Sequence, residues 1–156
     1  MEKKSNFKAS VLAVLLYGCE SWVLTNNQER QLNTFGTRCY RGILGISLYE
    51  HMTNQELYQR VGQKSIIEII RERQLRWLGH ALRRKESEPS RVFALYEPEA
   101  GHGKPKQGRP KLIWSEYIIR LLAPYRTGLT TRDVESLAQD RKRWKNIVAV
   151  CSTAID

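Results

Sequence analysis

The side chains best placed to do chemistry in this chain are cationic. Arg73, Arg76, His80, Arg83 and Arg84 all fall between residues 65 and 84. At roughly 100° per residue they share one arc of a helix. Guanidinium groups repeated along a face can follow a row of phosphates, each neutralised phosphate releasing condensed counterions. The plainer use of such residues is a solvated helix face. The reading of this arc, with no acid between its members, favours phosphate contact. Arg30, Arg38 and Arg41 form a second set, opposite the apolar side of another predicted helix.

A third basic set lies in Lys104-Pro105-Lys106-Gln107-Gly108-Arg109-Pro110-Lys111. A Gly-Arg-Pro core is extended and narrow, so Arg109 could enter a minor groove in the manner of an AT-hook. Gln107 stands where that motif has its first arginine, so general backbone contact by Lys104, Lys106, Arg109 and Lys111, or a flexible basic linker, stays open. Other chemistry has little to work with. Cys19, Cys39 and Cys151 and the three histidines lack metal-ligand spacing, and nothing pairs a thiol with a base. The aspartates are Asp133, Asp140 and Asp156, too few and too scattered for two-metal phosphoryl transfer. Asp133 and Asp140 read as helix-end and salt-bridge residues. No phosphate-binding glycine loop of the Walker type occurs. The expectation is no metal, no cofactor, no catalytic residue and no small-molecule substrate. Trp77, Trp114 and Trp144 are expected in the core, and Trp22 in a loop.

The whole chain agrees with a polyanionic partner. Its 156 residues carry 26 Lys and Arg against 16 Asp and Glu, a net charge of +10. The excess is concentrated: residues 71–111 hold 11 basic and 5 acidic groups. That points to nucleic acid ahead of an anionic membrane, and the basic arc lacks adjacent exposed aromatics that could insert into lipid. Hydrophobic residues make up 41% and charged residues 27%, a globular composition. The longest apolar run, Val11 to Tyr17, is far short of the roughly 20 residues a membrane-crossing helix needs. With no secretory signal pattern and an odd cysteine count, a nuclear or cytoplasmic, reducing location is expected.

The elements that must position these groups are helical. A short buried helix is predicted over 7–17. A second starts at Thr25 or Asn26, carries Leu32, Phe35, Cys39 and Ile43 on one face, and closes at Gly42 and Gly45. Thr53 with Glu56 forms a capping box for a third, ended by Gly62. Ser65 with Glu68 repeats that signature and opens the longest, 65–84, with Ile67, Ile70, Trp77, Leu78, Ala81 and Leu82 inward. Residues 85–111 hold four of the five prolines and read as an extended loop, with Arg91–Tyr96 the one candidate strand. A helix over about 111–123 and a last one from Thr131 to Val150 follow. The predicted fold is all-α with five to six helices. It is organised as an N-terminal helical lobe (1–62), a central basic amphipathic helix (63–84), a Pro/Gly-rich basic linker (85–110) and a C-terminal helix pair (111–156).

Several boxes, in order, resemble a known family. They are Leu15-Leu16-Tyr17-Gly18-Cys19-Glu20-Ser21-Trp22, Arg38-Cys39-Tyr40-Arg41-Gly42-Ile43-Leu44-Gly45-Ile46 and Thr53-Asn54-Gln55-Glu56. Then come Arg73-Gln74-Leu75-Arg76-Trp77-Leu78-Gly79-His80, Gly108-Arg109-Pro110-Lys111 with Trp114, and Ala138-Gln139-Asp140-Arg141 with Trp144. The series resembles the C-terminal part of non-LTR retrotransposon reverse transcriptases of the RTE-like, endonuclease–reverse transcriptase kind, from about residue 7 onward. The resemblance implies the thumb and the helical region beyond it, which in that family of RNA-directed DNA polymerases grip template and primer and hold template RNA or target DNA. On that analogy Arg38 and Arg41 belong to a thumb-like helix, and Arg73, Arg76 and His80 to a post-thumb helix. The family's catalytic box, an aromatic residue followed by alanine and two aspartates, is absent, so the chain reads as a non-catalytic remnant or separately encoded tail.

The expected function is backbone-directed binding of RNA, DNA or their hybrid with little sequence preference. Replacing Arg73, Arg76 and Arg83 by Ala is expected to flatten its salt dependence without unfolding the chain. The rival readings are a protein-interaction module or inert retroelement-derived fragment, and a polymerase subunit that works beside a separate reverse transcriptase palm.

Overall fold

The computed structural model describes residues 6–47, 49–96 and 112–153, and no strand occurs among them. Eight α-helices do: α1 (Ala13–Leu15), α2 (Asn26–Leu44), α3 (Asn54–Val61), α4 (Ile66–Leu82), α5 (Pro89–Ala94), α6 (Trp114–Leu121), α7 (Thr131–Gln139) and α8 (Arg141–Thr153). A π-helical stretch, Phe7–Leu12, leads into α1, and a 3-10 turn, Cys19–Ser21, follows it. The all-α class holds, but the count exceeds the five or six predicted.

The ends of these helices follow from short polar side chains. Thr25 with Gln28, Thr53 with Glu56 and Thr130 with Asp133 each form a reciprocal capping box, satisfying backbone N–H groups that the helix leaves orphaned. Ser65 accepts from the Glu68 N–H at 3.1 Å. Gly45 and Gly62 end α2 and α3 in the left-handed conformation that glycine adopts without strain. The extra helices have equally local causes. The predicted last helix breaks at Asp140, whose backbone is extended. Its carboxylate accepts from the N–H groups of Lys142 and Arg143 at 2.9 and 3.1 Å and so starts α8. Thr130, not Thr131, caps α7. Where 91–96 offered a candidate strand, Pro89 opens α5, a position at which its missing N–H costs nothing.

Helix α4 is the spine. Ile66, Ile67 and Ile70 in its first half pack with Leu12, Leu16 and Cys19. Leu75, Leu78 and Leu82 in its second half meet Ile118, Leu122, Val134, Ala138, Trp144 and Ile147 from α6, α7, α8 and the turn after α6. Tyr40, Leu57 and Val61 make a third cluster between α2 and α3. Because neighbours lie against α4 along most of its girth, its buried set also takes in Gln74 and Gly79. Gly79 permits the closest approach. A Cβ there would fall inside the indole of Trp144, whose Nε1 donates to the Leu75 carbonyl at 2.9 Å.

Two predicted faces shift. On α2 the buried line is Gly36, Thr37 and Tyr40, whereas Phe35 is 42% exposed. Gly36 is the reason: a Cβ there would stand 2.9 Å from Cδ1 of Ile66, so its absence lets α4 press in beside it. On α4, Trp77 is 38% exposed, set edge-on to Trp114 with ring centroids 5.4 Å apart. Of the three tryptophans expected in the core, only Trp144 is fully buried. The N-terminal run buries Leu12 and Leu16 alone, leaving Val14 and Tyr17 outside.

Candidate nucleic-acid interface

The basic arc of α4 does not stay together as a bare face. Arg76 has 69% of its side chain exposed, although it pairs with Glu72 one turn earlier. That carboxylate, absent from the arc as read in sequence, is shared with Lys64 at 2.6 Å. The hydrogen bond from Lys64, and the nearby Arg76 charge, hold the Glu72 carboxyl below its ordinary range. His80 is exposed and its Nε2 lies 3.0 Å from Arg84; Arg84 is also paired with Glu88 at 2.7 Å.

Arg73 and Arg83 serve the fold directly. Arg73 donates to the Leu16 carbonyl at 3.1 Å and ties the N-terminal segment to α4. Arg83 caps α4 and donates to the Ala138 carbonyl at 2.7 Å. Gln139 returns a bond from the end of α7 to the Leu82 carbonyl at 3.2 Å, where Arg91 also donates. Partial burial, together with the neighbouring Arg141 charge, lowers the Arg83 pKa. On α2, Arg41 donates to the Met52 carbonyl and to Oδ1 of Asn54 at 3.1 and 2.9 Å, fixing the entry to α3. Arg38 is exposed and in no ion pair among the described residues. Lys104, Lys106, Arg109 and Lys111 lie outside the described residues.

What the structure adds is a groove between α4 and α8, with a volume of about 370 Å³. Lys64, Arg76, His80 and Arg83 form one side and Arg141 and Lys145 the other. Trp144, Val148 and Ala149 also line it, and Glu72 is the one carboxylate among the described lining residues. Arg141, Lys142, Arg143 and Lys145 form a basic cluster visible in the sequence. Reading 131–150 as one helix with an inward stripe hid their relation to α4. A larger cleft between α2, α4 and α6 is more balanced, because Arg71 pairs with Glu29 there at 3.0 Å.

The thiols offer no reactive centre in this arrangement. Burial pushes the pKa values of Cys19 and Cys151 up, and that of Cys39, which is less buried, also rises. No group of three or more potential metal ligands occurs among the described residues. No helix among them is long and apolar enough to cross a membrane.

Among the described residues the fold is all-helical, with basic side chains of α4 and the start of α8 lining one groove. No family model matches the chain, and no solved structure matches it. It is 23% identical over 154 residues to a Caenorhabditis elegans protein described as transposon-derived and uncharacterized. The match takes in 91% of this chain and 52% of that protein, so the chain spans about half the length of its relative. The similarity supports a transposon origin for this sequence.

Proposed function

We propose that the chain is a non-catalytic nucleic-acid-binding tail or remnant of a retrotransposon reverse transcriptase, gripping template RNA, target DNA or their hybrid through backbone phosphates. The observation that carries this reading is the outward position of Arg76 and His80 on α4 beside Arg141 and Lys145 on α8. These groups line one groove on a chain of net charge +10. The transposon-derived relative supports the origin, and the ordered boxes from Leu15 to Trp144 support the reverse-transcriptase thumb and post-thumb region. The reading carries no nucleotide-transfer chemistry, since the boxes it rests on are those that follow the polymerase palm.

The experiment is a binding titration of the purified chain against duplex DNA, RNA–DNA hybrid and single strands across salt. Affinity is expected to fall linearly on a log–log plot. Each phosphate contact on duplex DNA contributes about 0.9 to the slope. The Arg38→Ala/Arg76→Ala variant removes two exposed predicted arginines that hold no backbone carbonyl and is expected to flatten the slope by about 1 to 2. Absence of binding to all three at low salt overturns the proposal in favour of an interaction module or an inert fragment.

A further inference from the structure

We infer that the groove between α4 and α8 holds the backbone of one unpaired polynucleotide strand, with Arg141 and Lys145 as phosphate contacts facing Lys64 and Arg76. This rests on the nucleic-acid-binding reading above and specifies which form of nucleic acid the surface takes.

Three observations lead there. First, the groove concentrates like charge beyond what the fold uses. Arg83 has a structural partner in the Ala138 carbonyl, and Lys64 and Arg76 share Glu72. Arg141 and Lys145 are exposed and in no ion pair among the described residues. Five cations lie around one carboxylate, an arrangement that repels itself until an anion enters. Second, the lining is amphiphilic. Exposed Ala149 lines the groove together with the largely buried Val148 and Trp144, so a ligand with an apolar part joined to phosphates fits better than a bare anion. A nucleotide of a single strand has both parts free. Third, about 370 Å³ is near the small end of the roughly 300–1,000 Å³ typical of ligand pockets. A sugar–phosphate unit and its base can enter a space of that size. A double helix, whose bases are stacked inside and whose surface is convex, can only lie across its rim. Cationic grooves that follow a backbone are a general solution for single strands.

The test uses the full chain and a dodecamer of oligo(dT), with a blunt duplex of equal length alongside. Arg141→Glu/Lys145→Glu is compared with Arg120→Glu/Arg132→Glu, which changes net charge equally at exposed positions outside the groove. Unfolding midpoints check that every variant folds. Arg141→Ala/Lys145→Ala provides a milder pair should charge reversal prevent folding. The groove reversal is expected to weaken oligo(dT) binding at least tenfold. The alanine pair should flatten the salt slope by about 1.4, two contacts at about 0.7 each for a single strand. The control pair should lose no more than about threefold on oligo(dT), and the groove reversal should weaken duplex binding less than it weakens strand binding.

Unchanged oligo(dT) affinity in the groove variant, or an equal loss in the control, overturns the groove assignment while leaving the general binding reading intact. Equal losses on duplex and strand overturn the single-strand preference. Polyglutamate of matched charge displacing oligo(dT) from the wild-type chain as well as unlabelled oligo(dT) does so too, since that would mark a site for acidic partners of any kind. If the wild-type chain binds neither nucleic acid, the proposed function itself fails.

Discussion

Gln74 is fully buried on α4, yet its side chain joins three segments. Its Nε2 donates to the carbonyls of Cys19 and Trp22 at 3.1 and 2.8 Å, and its Oε1 accepts from the Tyr117 hydroxyl at 3.3 Å. Burial pushes the Tyr117 pKa up to about 12, so the phenol remains a donor across the physiological range. Gln74→Leu keeps the volume but takes the side-chain donor from the Trp22 carbonyl and the acceptor from the Tyr117 phenol, while the Cys19 carbonyl retains the Trp22 N–H at 3.2 Å. An unsatisfied buried group costs about 1–3 kcal/mol. The variant is therefore expected to lose about 3 kcal/mol by urea unfolding, and a loss below about 1 kcal/mol would remove Gln74 as the polar tie. The same distinction separates the arginines. Arg73, Arg83 and Arg41 each hold a backbone carbonyl of another segment, so alanine at these positions is expected to lower stability as well as charge. The triple replacement of Arg73, Arg76 and Arg83 thus mixes the two effects, whereas Arg38 and Arg76 report on binding more cleanly.

At the scale of the element, glycine separates packing from propensity. Gly79 and Gly42 both lie inside helices, where alanine is intrinsically better by about 1 kcal/mol. Gly42 has open space where a Cβ would go, whereas Gly79 faces the Trp144 indole. Gly42→Ala is expected to raise stability by about 0.5–1 kcal/mol, and Gly79→Ala to lower it by about 1–3 kcal/mol through overpacking. Matched thermal melts of the two variants check this; the same sign for both would contradict the account of how α4 and α8 meet. This contrast also marks what sequence could disclose. The capping boxes at Thr53 and the helix ends at Gly45 and Gly62 are local devices and were readable from adjacent residues. The inward set Ile67, Ile70, Leu78, Ala81 and Leu82 was readable from periodicity. The roles of Gly36 and Gly79 depend on Ile66 and Trp144 arriving from elsewhere, which no local pattern discloses. The groove was hidden for the same reason: Arg76 and Arg141 are far apart in sequence and meet only through that packing.

For the whole molecule, charge sets a conflict between stability and binding. The 26 Lys and Arg are offset by 16 Asp and Glu to a net charge of +10, and some of these carboxylates are held in specific places. Bonds from the Thr53 backbone and hydroxyl lower the pKa of Glu56, and those from the Thr130 hydroxyl and backbone lower that of Asp133. Lys64 chiefly, with Arg76, lowers that of Glu72. Folded values below the ordinary 4.5 for Glu and 3.8 for Asp mean that the folded state favours the ionised form. Their contribution is complete above those ordinary values and is lost as pH falls through the lower folded ones. Stability should therefore fall on acidification from about pH 4.5, the growing positive charge adding self-repulsion. Glu72 brings this conflict into the groove, where it holds Lys64 and Arg76 in place but also repels phosphate. Glu72→Gln is expected to lower stability at pH 7 by about 1 kcal/mol or less, the usual range for a surface pair, and to weaken the acid dependence. It should at the same time tighten oligo(dT) binding by about fivefold, since a unit charge a few ångströms away in a watery surface is worth ~1 kcal/mol. Parallel urea titrations at pH 7 and pH 4, with oligo(dT) binding at one salt concentration, read both quantities. Unchanged or weaker strand binding in Glu72→Gln would mean that the phosphates do not approach this carboxylate, and the strand would have to be placed outside the α4–α8 groove.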